Sequence, residues 1–354
     1  MPQTRISLIL ICVFASLISV AQNIEMVIAS NVSYIEKPES YYNRGVNYLR
    51  EGEEHLAIQS FKKSIALKGE ESEEIVNNIG LGYVLMGKLD SAKLMFNHVL
   101  TKNERNHNAY INIGMVAAFE GDDTLALASY SKAIKLNHVS AGVYYLRAQI
   151  YEGQGNYDDA IGDYERSIGV DPDFFEAYVN KASLYIDIEE YDKASIDVEK
   201  ALSLQGESPK LYNILGQLYI KSENWDEAIK SFDKALDMNN KHVESMNNKG
   251  RVYFLVEDYS EARRWFSKAS DFDPNYTYAL NNLGSSEVLL ENYEDAIDAF
   301  SRALTVNPYY TVAMYNRAIV YEKMGAYLDA CDDWEEAYSL GYVKAKEHLD
   351  IECR

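Results

Sequence analysis

Small residues return along the chain at a fixed interval and set its hydrophobic pattern. One series is Ala57, Ala92, Ala126, Ala160, Ala194, Ala228, Ala262, Ala296 and Ala330; the first gap is 35 residues and every later gap is 34. A second series, Gly45, Gly80, Gly114, Ala148, Ala182, Gly216, Gly250, Gly284 and Ala318, keeps the same spacings. Aromatics follow the alanines by four at Phe61, Phe96, Tyr130, Tyr164, Phe232, Phe266, Phe300 and Trp334, with Val198 the exception. Tyrosines follow the second series by three at Tyr48, Tyr83, Tyr151, Tyr185, Tyr219, Tyr253 and Tyr321. Residues three and four apart share a helix face, so each period predicts two helices. The small sites mark where the two cross, because a close crossing needs one side without bulk. The aromatic fills the adjoining gap.

Polar stretches separate the helices, such as GKLD at 87–90 and GNYDDA at 155–160. Asp90, Thr124, Asp158, Asp192, Asp226 and Ser260 share one repeat position and read as N-caps of the second helix. Pro38, Pro172, Pro209, Pro274 and Pro308 all fall at period boundaries, where the ring breaks no helix. A fixed period of this size means a stacked repeat architecture. The expected units start near 38, 73, 107, 141, 175, 209, 243, 277 and 311 and cover 38–340. Gly341 ends the ninth unit, and 341–354 read as a capping helix, the polar lid that a solenoid end requires.

The N-terminus reads differently. Arg5 precedes an uncharged apolar run from Ile6 to Ala21, with Ser19 and Ala21 placed for cleavage before Gln22. That is the layout of a secretory signal peptide over 1–21. The run is short for a spanning helix, which needs about 20 residues; an uncleaved anchor is the alternative and the one route to a membrane. Ile11 before Cys12 argues against lipidation. Residues 22–37 read as a linker. The expectation is an exported protein, in a periplasm, cell envelope or extracellular space.

Charge narrows the partners. The chain carries 34 Lys+Arg against 55 Asp+Glu, a formal net charge of −21. Such a surface repels phosphate backbones and anionic lipid, so nucleic acid is not expected as a partner. No H-E-x-x-H or C-x-x-C is present, and the histidines fall at unrelated repeat positions, so no metal or other cofactor is expected. Asp271, Asp273 and Asn275 echo a calcium loop, but Tyr276 stands where glycine is needed. No nucleophile and base stand together, so no catalytic residue is nominated and the chain is not read as an enzyme.

The pattern of an aromatic, Leu-Gly, Tyr, then Ala, Phe and a border proline resembles the tetratricopeptide repeat; LYNILGQLYIKSENWDEAIKSFDKALDMN from Leu211 carries it. The resemblance implies an all-α, right-handed superhelical solenoid whose first helices line a concave face. Two residues before the second small site stand Asn43, Asn78, Asn112, Asn180, Asn248, Asn282 and Asn316, interrupted by Leu146 and Ile214. In the family this position points into the groove, and the series resembles the asparagine ladder of O-GlcNAc transferase superhelices. An amide offers donor and acceptor to any peptide unit. The other reading is packing between neighbouring first helices. Val46, Leu49, Leu81, Leu85, Met115 and Phe119 give the first three units an apolar groove, or pack between repeats. Arg44, Arg147, Lys181, Lys249 and Arg317 follow the ladder position and either neutralise neighbouring acids or contact an acidic ligand. The two-carboxylate clamp of chaperone-tail adaptors is missing, with Tyr42 and Val46 in its places in the first unit.

Cys331 and Cys353 flank Gly341 and would face each other in an antiparallel hairpin. They are either independent thiols or, in an oxidising compartment, a disulfide stapling the lid. The function expected is a non-catalytic scaffold that binds an extended or helical polypeptide segment. The alternative is a structural subunit of a cell-envelope or secretion assembly.

Overall fold

The computed structural model describes residues 37–136, 140–204 and 206–353. The expected leader, 1–21, and the linker as far as residue 36 lie outside the described residues. The described residues form nineteen α-helices and no strand. In chain order they make nine pairs: α1 (Pro38–Glu51) and α2 (Glu54–Lys68), α3 (Glu73–Leu85) and α4 (Leu89–Lys102), α5 (His107–Glu120) and α6 (Asp123–Leu136), α7 (Ala141–Gly153) and α8 (Tyr157–Val170), and α9 (Phe175–Asp187) and α10 (Tyr191–Ser203). Then come α11 (Pro209–Lys221) with α12 (Trp225–Met238), α13 (Val243–Leu255) with α14 (Tyr259–Phe272), α15 (Thr277–Leu289) with α16 (Tyr293–Val306), and α17 (Thr311–Lys323) with α18 (Tyr327–Ser339). The short α19 (Ala345–Glu352) follows the ninth hairpin. Odd-numbered helices up to α17 are the first of each pair.

Local chemistry fixes the ends. Pro38 and Pro209 open α1 and α11, where a missing N–H costs nothing. The hydroxyl of Ser72 accepts from the Ile75 amide, that of Ser208 from Leu211, and the Asn106 side chain from Ala109. The turn inside each hairpin uses a left-handed residue: Gly52, Gly87, Gly121, Gly155 and Gly325, but Glu189, Glu223, Glu257 and Glu291 in repeats five to eight. The next residue is the cap, and here the sequence expectation is corrected by two positions. Asp122 and Asp258 accept from the amides of Leu125 and Glu261 at 2.9 and 3.1 Å. Asp90, Thr124, Asp158, Asp192, Asp226 and Ser260 are each the second residue of their helix. The turn is tighter than its polar composition suggested, so the helix starts earlier and these residues face its dipole instead.

The chain divides into two compact bodies, one ending at Leu184 and one beginning at Tyr185. In the first, each aromatic is buried between its own hairpin and the next first helix: Phe61 with Ala57, Ile75 and Ile79, Phe96 with Ala92 and Val116, Tyr130 with Ala126 and Leu146. In the second, Phe266 packs with Ala262, Leu283 and Ala299, and Phe300 with Leu280, Ala296 and Val320. The core is therefore a string of small clusters, each shared by neighbours. The glycines of the second small series let the ring lie against bare backbone. At Gly284 a Cβ would stand 2.7–2.9 Å from three carbons of Phe300.

α19 closes the second body. Ala345 is buried, and the His348 ring stacks on that of Trp334 with centroids 4.4 Å apart. His348 Nε2 lies 3.1 Å from the Tyr315 hydroxyl. Cys353 is bonded to Cys331 of α18, their Cα atoms 5.7 Å apart. Among the described residues no helix is long and apolar enough to cross a membrane.

Candidate functional site

The asparagine series sits on the first helices, and its geometry follows from the repeat. Two adjacent first helices pass side by side, so the position before each asparagine is met by the asparagine of the next repeat. Asn112 Nδ2 donates to Asn77 Oδ1 at 3.4 Å, Asn248 to Asn213 at 3.0 Å, Asn282 to Asn247 at 2.9 Å and Asn316 to Asn281 at 3.1 Å. Asn78 donates to the Tyr42 hydroxyl at 3.4 Å and Asn180 to that of Tyr145 at 2.8 Å. Asn112, Asn180 and Asn248 are buried, Asn78, Asn282 and Asn316 are partly open, and Asn43, at the start of the series, is exposed.

The interruption at Leu146 obeys the same rule: the facing position of the preceding repeat is Ile111, and both belong to one buried cluster. Polar meets polar and apolar meets apolar, because an amide buried against a methyl group loses hydrogen bonds that water would have given it. These side chains therefore join repeats. What remains for a ligand at the open members is the second amide hydrogen and unused carbonyl lone pairs.

The residues expected to form an apolar groove are drawn inward as well. Leu49 is buried, with Val46 and Leu85 packed against the same cluster; Leu81 packs on the Phe96 cluster and Met115 on the Tyr130 cluster. Phe119 is partly exposed at the end of α5.

Three of the cations one place further on, Arg147, Lys249 and Arg317, find acids. Arg147 grips Asp163 of its own hairpin through Nε at 2.6 Å and Nη2 at 2.9 Å, and reaches Ser131 of the preceding second helix through Nη1 at 2.9 Å. Arg317 repeats this with Asp333 at 2.8 and 2.7 Å and Ser301 at 2.8 Å. Hydrogen bonding to the carboxylate outweighs desolvation and pushes both guanidinium pKa values up. Lys249 lies 2.5 Å from Asp233 and 4.2 Å above the Trp265 ring, which occupies the place of the acid. Each of these three thus braces three helices. Reading the sequence one position at a time misses Asp163 and Asp333. The signal was a pair: an acid three after the alanine accompanies a base one before the small site, as at Arg147 and Asp163, Lys181 and Asp197, and Arg317 and Asp333.

Among the described residues a serine and a histidine meet at the start of α13. Ser245 Oγ is 2.8 Å from His242 Nδ1, which also accepts from the Ser245 amide. Ser245 is fully buried, so the pair caps α13 and meets no solvent-borne substrate. No group of three metal-ligating side chains occurs among the described residues.

Tetratricopeptide repeat models match residues 38–71, 107–138 and 175–208, residues 141–174 and 277–310, and residues 207–275, more than half of the chain together. No curated protein matches. A tetratricopeptide repeat protein from Parabacteroides merdae is similar at 20% identity and a TM-score of 0.58, over 70% of this chain and 98% of that one. The Cut9–Hcn1 hetero-tetramer of the APC/C is similar at 15% identity and a TM-score of 0.57, over 90% and 76%. The human IFIT1 dimer, solved with m7Gppp-AAAA, is similar at 14% identity and a TM-score of 0.61, over 90% and 81%. At these identities the likeness is one of fold.

Proposed function

The chain belongs to the tetratricopeptide repeat family, and from that premise we propose a non-catalytic scaffold, exported from the cytoplasm, that binds a polypeptide segment along its first helices. Repeats of this kind generally serve protein–protein interaction, and fold alone names no partner. The observation that carries the reading is the pair of partly open amides at Asn282 and Asn316 in adjacent repeats, held in place from behind by inter-repeat hydrogen bonds. A fixed amide binds a peptide unit at lower entropic cost than a free one. Each such bond contributes about 0.5–1.5 kcal/mol, so a segment spanning several repeats is held without reading its side chains. Export is supported by the apolar run over 6–21 and by a disulfide of the kind that oxidising compartments preserve.

The test separates binding from bracing. Asn316→Ala and Asn281→Ala break the same hydrogen bond, but only the first removes the amide offered to a ligand. A peptide ligand is selected against the mature protein by display and its affinity measured for both variants. A larger loss in Asn316→Ala supports the reading. Equal losses, or none, overturn it.

A further inference from the structure

One junction between repeats departs from the others in charge. The residue after each repeat alanine is apolar in five units, at Ile58, Leu127, Ile161, Ile229 and Ile297. In the first of them it shares a cluster with the tyrosine of the next repeat, Ile58 with Tyr83. Between the seventh and eighth repeats both members are ionic: Arg263 stands in the place of the isoleucine and Glu287 in that of the tyrosine. At this junction a cleft of about 920 Å³ opens between α14 and α16, with Leu283 and Glu287 of α15 in its lining. Glu287 is only 7% exposed. Its Oε2 accepts from Asn292 Nδ2 at 2.8 Å and lies 4.0 Å from Arg263 Nη1, too far for a hydrogen bond. Its Oε1 accepts no hydrogen bond from any described residue. A buried carboxylate left half-paired is destabilising, and the apolar pair of the first junction avoids that cost.

We infer that this cleft binds a lysine side chain of another polypeptide, its ammonium group on Glu287 Oε1 and its methylenes along Leu283 and Ala299 of the lining. Depth decides the charge. The lining holds four cations against five carboxylates. All four cations, Arg263, Arg264, Lys268 and Arg302, are exposed, so solvent screens them, and Glu287 is the one buried charge. A single open oxygen suits the compact ammonium group; the guanidinium fork of arginine needs both, and Oε2 is already held by Asn292. The cleft lies between second helices, so the inference stands apart from the amides of the first helices.

The probe is the tripeptide Gly-Lys-Gly, trifluoroacetylated at its N-terminus and amidated at its C-terminus, followed by fluorine NMR on titration with the protein; the norleucine analogue is the ligand control. Glu287→Gln keeps the size of the side chain and the bond from Asn292, and should weaken the lysine probe tenfold or more, down to the level of the norleucine analogue. Arg263→Ile removes a competing cation and should tighten binding severalfold. Arg105→Ile makes the same charge change at an exposed site in the first body and leaves affinity within twofold. Arg263→Ile with Glu287→Tyr rebuilds the contact of Ile58 and Tyr83; it should raise the melting temperature and abolish binding, which shows that the loss is not one of folding. Equal binding of the probe by wild type and Glu287→Gln overturns the inference, as does no binding to wild type at millimolar probe. Weaker binding by Arg263→Ile overturns it too, since the cation would then belong to the site rather than compete for it.

Discussion

Gly284→Ala tests the packing that sets the period. Alanine in mid-helix ordinarily gains about 1 kcal/mol over glycine. Here the new methyl would stand 2.7–2.9 Å from Cε1, Cζ and Cδ1 of Phe300, where carbon–carbon contacts are comfortable at about 3.5–4.0 Å. The ring must retreat by close to 1 Å, yet it is fully buried against Leu280, Ala296 and Val320. Overpacking of that severity costs about 3 kcal/mol, leaving a net loss of about 2 kcal/mol. The chain shows a compensation: in repeat five Ala182 is accompanied by Val198. Phe300→Val alone removes ring volume and costs about 2 kcal/mol. Combined with Gly284→Ala it costs about the same 2 kcal/mol rather than the additive 4, because the methyl fills space the ring has left. Urea unfolding followed by circular dichroism at 222 nm gives the cycle. Additivity within about 0.5 kcal/mol would refute the reasoning. Ala148 and Ala318 coexist with Tyr164 and Trp334 because those rings are seated by other partners, Glu152 for the tyrosine and His348 for the tryptophan.

Three further outcomes are expected. Glu223→Gly, at φ 56, relieves a left-handed L-residue and stabilises by up to about 1 kcal/mol in urea unfolding, while Glu223→Ala brings no gain. Arg317→Met strands the buried Asp333 and costs about 3–5 kcal/mol, whereas Arg317→Met with Asp333→Ser, the residue at that position in repeats one, three and six, recovers most of it. His242 accepts the Ser245 amide through Nδ1; burial holds its pKa below the usual value, with Glu244 opposing and Lys210 assisting. Protonation therefore favours the unfolded chain. This contribution is full above about pH 6.5 and is lost as pH falls through the folded pKa; a pH series of melting temperatures for wild type and His242→Asn, whose cap does not titrate there, should diverge in that direction.

Much of the fold was legible because glycine, alanine and phenylalanine have one use here: Gly284 and Phe300 declare a crossing wherever they recur. The caps were misplaced because Asp90 and its equivalents suit both a cap and a first turn, and only the backbone tells them apart. The site was less legible. Asn248 read equally as a groove amide or as packing between first helices because its position was considered alone, whereas its partner Asn213 lies one place and one repeat away. The interruption at Leu146 was the better clue, since it marks where that facing position, Ile111, turns apolar.

The pairing of each ladder residue with its predecessor also constrains how such a chain gains or loses repeats over evolutionary time. Excising the seventh repeat would seat Asn282 on Asn213, and excising the eighth would seat Asn316 on Asn247, both compatible joins. Excising the fourth would set Asn180 on Ile111, stranding an amide. The repeats look interchangeable by length but are keyed by polarity, so recombination has more freedom toward the C-terminal end than in the middle.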